Sequence, residues 1–230
     1  MFTIPHYRLL LPAFVIFLLV ACSANVRATP EISWDDKLAT PGAQITFEKE
    51  SESSYTMRVS GLPKDKDYVL WMKWVDDKIQ RLPVPDTKGL FEGKAKFNFS
   101  KMYRGEPILF ALVSSDQAVR VYAQLIPFPL DATDEGGCKL SLAILSANQR
   151  LLGIIGEGFQ PGEQVTTISK SESEILRDEK IALENGRIAV IIDPGVIGKT
   201  GGLPTFQAVS KTCDVTLRYA WGTAMKRIDE

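Results

Sequence analysis

From Ile32 onward, apolar residues recur at every second position in short runs, and each run is stopped by Gly, Pro or a cluster of charges. A two-residue period puts alternate side chains on opposite faces of an extended strand, and frequent breakers keep each strand short. Ala43, Ile45 and Phe47 alternate with Gln44, Thr46 and Glu48, and Tyr55, Met57 and Val59 alternate until Gly61-Leu62-Pro63. Tyr68 to Val75 is the strongest strand, and Asp76-Asp77-Lys78 turns it into Ile79 to Val84. Ala95, Phe97 and Phe99 form a further run. Ile108 to Val113 is apolar throughout, and Val119, Val121, Ala123 and Leu125 end before Pro127-Phe128-Pro129. No segment carries a convincing helical period. About seven strands in about 100 residues predict a β-sandwich.

The amino-terminal residues follow another rule. Leu9 to Ala21 is apolar, interrupted only by Pro12, and Arg8 is the one Lys or Arg before it. Thirteen residues as a helix span about 20 Å against a hydrocarbon core of about 30 Å, which suits a cleaved secretory signal better than a permanent span. The end of the run, Leu19-Val20-Ala21-Cys22, resembles a bacterial lipobox. The resemblance implies cleavage before Cys22, acylation of that cysteine and a membrane partner held through its lipid. Ser23 in place of Asp implies, by the same resemblance, an outer-membrane lipoprotein of the cell envelope, on its periplasmic or its surface side. Two or more acyl chains anchor stably where one does not. The alternative is ordinary cleavage after Ala28, since Val26 and Ala28 have the small-residue spacing, and it gives a soluble periplasmic or secreted protein. On the first reading residues 1–21 are signal peptide and 22–30 a tether, whose last eight residues reach about 28 Å when extended.

Of the 27 Lys and Arg only Arg8 lies in the leader, and none of the 28 Asp and Glu does, so the exported chain is slightly acidic. A chain without basic excess is a poor match for nucleic acid. The single histidine, His6, also lies in the leader. Its removal excludes Ser-His-Asp and Cys-His catalysis and every zinc site that needs imidazole. If Cys22 carries lipid, Cys138 and Cys213 remain as an even pair in an oxidising compartment, where such pairs form disulfides.

The strand pattern restarts after Asp131 to Gly137, a polar junction. Lys139 to Leu145, Leu151 to Ile155, Val165 to Ser169, Thr205 to Val209 and Val215 to Tyr219 read as strands, and Asn185-Gly186 between Ile181-Leu183 and Ile188-Ile192 is a strong hairpin signal. The run Gly156-Glu157-Gly158-Phe159-Gln160-Pro161-Gly162-Glu163, followed by an alternating strand, resembles bacterial immunoglobulin-like modules of cell-surface proteins. Its glycines and Pro-Gly supply the turn from the second strand to the third, and Phe159 plugs the end of the sandwich. The resemblance implies that Cys138 opens the first strand of this module and Cys213 the last. That placement differs from antibody domains, whose bridge joins the two sheets beside a strand-C Trp. The predicted fold class is all-β: two tandem immunoglobulin-like or fibronectin-III-like β-sandwich domains, residues 31–130 and 131–226, with a frayed charged tail at 227–230.

Several constellations invite chemistry. Gly198-Lys199-Thr200 suggests a phosphate loop, but Asp193 stands where the motif needs Gly, and Gly201, Gly202 and Pro204 forbid the helix that must follow. Asp35-Asp36, Asp76-Asp77, Asp134-Glu135 and Asp178-Glu179 are adjacent in sequence, a poor geometry for a facing carboxylate pair. Asp131, Asp134 and Glu135 are the best calcium candidates. No metal set and no cofactor motif emerges beyond these. On the strand from Tyr68, Val69, Trp71, Lys73 and Val75 share one face, and Lys73 marks it as the wetter one. Val69, Trp71 and Val75 therefore make either an exposed binding surface or a patch packed under a loop or the second domain.

These readings converge on a lipid-anchored envelope protein with a non-catalytic binding or scaffolding role toward a protein or glycan. The alternatives are a carboxylate-dependent hydrolase of envelope polysaccharide and an envelope assembly factor or inhibitor. The anchor is tested by growth with labelled palmitate: the chain takes up label, and Cys22→Ala abolishes it; unchanged labelling refutes the lipobox.

Overall fold

A computed structural model describes residues 32–84 and 86–228. The leader, the tether, Cys22 and Ala28 lie outside the described residues. From Trp34 the chain packs as one compact unit, built around two separate hydrophobic cores.

The first core lies between two antiparallel sheets. Their strands are β1 (Gln44–Lys49), β2 (Ser54–Ser60), β3 (Tyr68–Lys73), β4 (Ile79–Leu82), β5 (Lys96–Asn98), β6 (Ile108–Ser114) and β7 (Arg120–Leu125). One sheet runs β1-β2-β5 and the other β4-β3-β6-β7. In sandwich notation this is A-B-E against C′-C-F-G, the strand arrangement of a fibronectin type III domain. Ile45 and Met57 from the first sheet meet Leu70, Met72, Phe110 and Leu112 from the second. Phe47 lies 4.7 Å from Phe110 between ring centroids. Each fully buried side chain of this size contributes about 1.5–3 kcal/mol.

The second core repeats the plan. Its strands are β8 (Leu130–Thr133), β9 (Lys139–Ile144), β10 (Leu152–Glu157), β11 (Gln164–Ser171), β12 (Glu174–Ile181), β13 (Ile188–Ile192), β14 (Gly201–Gly202), β15 (Thr205–Val209), β16 (Asp214–Arg218) and β17 (Trp221–Gly222). The sheets run β13-β10-β9-β8 and β12-β11-β15-β16, and β14 pairs with β17 in a small ribbon. The all-β class holds. Five details depart from the sequence reading.

A single helical turn, α1 (Thr87–Phe91), interrupts the first sandwich. Asp86 caps it by accepting from the Gly89 N–H at 2.7 Å, and Leu90 is buried in the first core. Five residues are too few to show a helical period. The polar junction is not a loop throughout. Leu130 to Thr133 pairs with β9, and a tight turn follows in which the Asp134 N–H donates to the Cys138 carbonyl at 3.0 Å. Asn185-Gly186 does not close a hairpin between paired strands, because β12 pairs with β11 and β13 with β10. The turn carries the chain from one sheet to the other. The Cys138–Cys213 disulfide forms, with Cα atoms 5.9 Å apart. It does join the two sheets, through the residues just before β9 and β16, so it clamps their ends rather than crossing mid-core. Finally, the described tail residues are held. Arg227 forms a β-bridge with Tyr103, and the Ile228 N–H donates to the Met102 carbonyl at 2.8 Å. Ile228 packs on the first core, which outweighs its charged neighbours.

Closing a loop of 75 residues' separation stabilises by about 4–5 kcal/mol in the chain-entropy model. The unreduced protein is expected to show no titratable thiol at Cys138 or Cys213. Replacing both by Ala is expected to lower unfolding free energy by several kcal/mol in a denaturant titration, and a change under about 1 kcal/mol refutes that role.

Candidate functional site

Trp71 sits mid-strand in β3, opposite Arg81 of β4 and Ala111 of β6, and Tyr122 follows across β7. These four form one row on the outer face of their sheet. Ala111 is fully buried although it faces away from the core. The large side chains beside it, Trp71 and Tyr122, account for that cover. Trp71 itself keeps only 9% of its surface. The exposed aromatic patch entertained from sequence is therefore absent, since the indole is buried although it stands on the outer face. Cover on both faces also explains why Ile108 to Val113 reads as an unbroken apolar run.

The three residues grouped on this face do not act together. Val69 lines a shallow pocket of about 420 Å³ with Arg81, Asp86 and Thr87. Val75 packs against the core of the second sandwich. Lys73 pairs with Asp77 at 2.7 Å.

Most of the acidic candidates are engaged by near neighbours. Asp35 accepts from the Lys37 N–H at 3.0 Å and caps a short 3-10 turn. Asp76 pairs with Lys78 and Asp178 with Lys180, and both carboxyls are held below the usual range first by those hydrogen bonds. Glu179 accepts from the Gln164 amide at 2.7 Å. A general acid for glycoside hydrolysis needs a raised carboxyl pKa. Among the described residues, every carboxyl with a resolved shift is lowered. The calcium candidates are likewise dispersed. Asp131 pairs with Lys139 at 2.8 Å, and Asp134 accepts from the Cys138 and Asp214 N–H groups at 2.8 and 3.0 Å. Asp134 lies beside both cysteine sulfurs, but the disulfide leaves no thiolate to bind a metal. Gly198-Lys199-Thr200 forms a turn, with the Lys199 N–H on the Val196 carbonyl at 3.0 Å, and leads into β14 rather than a helix.

The best-built cluster surrounds the disulfide, and sequence reasoning named its parts without seeing them joined. Gly156 leaves room for Phe159, since a Cβ there would stand 2.8 Å from the ring. Phe159 is buried in the second core, as expected of an end plug. Glu163 accepts from the Gln160 N–H at 3.1 Å and the Lys211 N–H at 3.0 Å, and Thr212 donates to it at 3.2 Å. Burial raises its pKa, but hydrogen bonds from Gln160, Ser210, Lys211 and Thr212 outweigh that and hold it below the ordinary range. Its contribution to stability is thus present at neutral pH and lost as pH falls through its folded pKa. Asp134 and Glu163 flank the bridge and tie three turns together. The cluster supports structure; nothing in it activates a nucleophile.

No protein-family model matches the chain, and no curated protein matches it. Among solved structures it is similar to the chicken interferon gamma receptor alpha chain, at 9% identity over 80% of this chain and 99% of that one, with a TM-score of 0.27. It is also similar to a tetra-tandem repeat from the extending region of a large adhesion protein, at 10% identity over 82% of this chain and 49% of that one, TM-score 0.26. The chicken CNTN1 FN1–FN3 domains match at 13% identity over 78% of this chain and 65% of that one, TM-score 0.26. Likeness at this level carries no functional conclusion, and the fold rests on the strand order.

A buried Trp71 makes a direct prediction. Trp71→Ala is expected to destabilise by about 3 kcal/mol or more in denaturant unfolding, the range for a large aromatic in packed surroundings. A loss under about 1 kcal/mol means the indole is dispensable to the fold.

Proposed function

We propose that the chain is an exported, lipid-anchored envelope protein whose two sandwiches bind or scaffold a protein or glycan without catalysing a reaction. The observation that carries this reading is the Cys138–Cys213 bridge, a device of oxidising compartments, in a chain whose leader ends Leu19-Val20-Ala21-Cys22. Of the adjacent carboxylates, Asp35, Asp76, Asp77, Asp134 and Asp178 are engaged by neighbouring cations or backbone N–H groups, which favours the binding role over the hydrolase. Held on a tether of roughly 30 Å, such a body works close to the membrane that anchors it.

Fractionation and in-cell cross-linking test the proposal together. The chain is expected in the outer-membrane fraction, and Cys22→Ala is expected to release it to the periplasm and reduce its cross-linked adducts. A wild-type chain found wholly soluble refutes the anchor. Release of reducing ends from purified envelope polysaccharide by the purified protein refutes the non-catalytic role.

A further inference from the structure

The residues from Gly195 to Pro204 carry the two most exposed large apolar side chains of the described chain, Ile197 at 98% and Leu203 at 78%. Burial cannot be their purpose in the isolated molecule, and exposed aliphatics at a loop tip suit insertion into another phase. The loop is not loosely attached. β14 pairs with β17, and the Thr223 N–H donates to the Thr200 carbonyl at 3.0 Å. Gly222 permits this closeness, since a Cβ there would stand 2.1 Å from the Thr200 carbonyl oxygen.

Leu203 borders an open groove of about 680 Å³ at the same end of the second sandwich. Its floor is aliphatic, with Leu130, Ala220, Met225 and Ile228. Its rim is basic: Arg104, Arg218, Lys226 and Arg227. No Asp or Glu lines it among the described residues. Arg227 stands over the Tyr103 ring at 5.2 Å. Among the described residues no ion pair of Arg104, Arg218 or Lys226 with a carboxylate is found, whereas the chain as a whole is slightly acidic. Lys199, exposed on the loop itself, adds a further cation. Burial pushes the Tyr219 phenol on the groove wall up to about 12, so it adds no negative charge at neutral pH.

Three cations, Arg104, Arg218 and Lys226, around an apolar floor that no described carboxylate lines complement an anionic amphiphile. A protein hot spot would set an accessible aromatic beside such arginines, and the groove's Tyr219 is buried. We propose that this end of the second sandwich docks on a bilayer containing anionic phospholipid, with Ile197 and Leu203 entering the acyl boundary and Arg104, Arg218 and Lys226 meeting headgroup phosphates. This contact is separate from any lipid on Cys22.

The test uses the full chain carrying Cys22→Ala, in which the disulfide leaves an introduced cysteine as the one free thiol. An environment-sensitive fluorophore is placed at Leu203→Cys, at Ile197→Cys or, as a control, at Asn185→Cys in the turn near Phe159. With vesicles of phosphatidylglycerol and phosphatidylcholine, labels at 197 and 203 are expected to shift to the blue and the label at 185 to stay in water. Phosphatidylcholine alone is expected to give no shift. Each basic residue near an anionic surface contributes about fivefold in affinity, so Arg218→Glu with Lys226→Glu is expected to weaken the response roughly 30-fold or more. The proposal is overturned by an equal shift at all three positions, by an undiminished response in the double variant whose unfolding midpoint is unchanged, or by no shift at all. A shift caused by inorganic phosphate alone assigns the cations to a soluble anion, and a concentration-dependent shift without vesicles assigns the groove to self-association; either also overturns it.

Discussion

The close approach of Gly105 to the second sandwich is the contact on which the arrangement of the molecule depends. Its N–H donates to the Phe128 carbonyl at 2.8 Å, and its own carbonyl accepts the Ile144 N–H at 2.8 Å. Its φ is +81°, and a Cβ there would stand 2.7 Å from a Leu142 methyl and 2.9 Å from the Leu142 carbonyl oxygen. Only a residue without a side chain fits both the conformation and the space. On one side Tyr103 packs against the second core, and on the other Arg104 reaches the rim of the basic groove. One loop thus joins the sandwiches and contributes to the surface they present. The tail strengthens the junction from the opposite direction, through Arg227 on Tyr103 and Ile228 on Met102.

The two ends of the second sandwich are built differently, and the difference matters for function. At the disulfide end, Asp134 and Glu163 spend their carboxylates on backbone N–H groups and Phe159 fills the opening. Charge-assisted hydrogen bonds of this kind satisfy polar groups in turns and fix their shape. At the other end, no described carboxylate lines the groove beside Arg104, Arg218 and Lys226, and Ile197 and Leu203 are exposed. A surface of that composition is complementary to an anionic or apolar phase. The first end secures the body; the second presents exposed cations and aliphatic side chains to solvent.

Much of the fold was legible because its physics is local. Alternation of Ile45 with Phe47, of Tyr55 with Met57, and of Leu140 with Leu142 marks one buried face per strand. The Gly156 to Glu163 motif could be read as a turn with a plug because its glycines and proline restrict the backbone directly. What escaped was either too short or depended on distant partners. The turn at Thr87–Phe91 has no room for a period, and Leu130 to Thr133 becomes a strand only because β9 lies beside it. Trp71 was ambiguous for the same reason. Lys73 marked its face as wet, yet Ala111, the small residue paired with Trp71, is forty residues away.

By itself the sequence determined the strand period, the position of the one histidine at His6 and the two candidate partners Cys138 and Cys213, since each follows from residue type and near-neighbour spacing. Tertiary structure decided which faces stay exposed, which carboxylates are spent, and that Arg104 joins Arg218 and Lys226 around one groove. Those outcomes depend on the close packing of segments far apart in the chain, and no local pattern encodes which of them will meet.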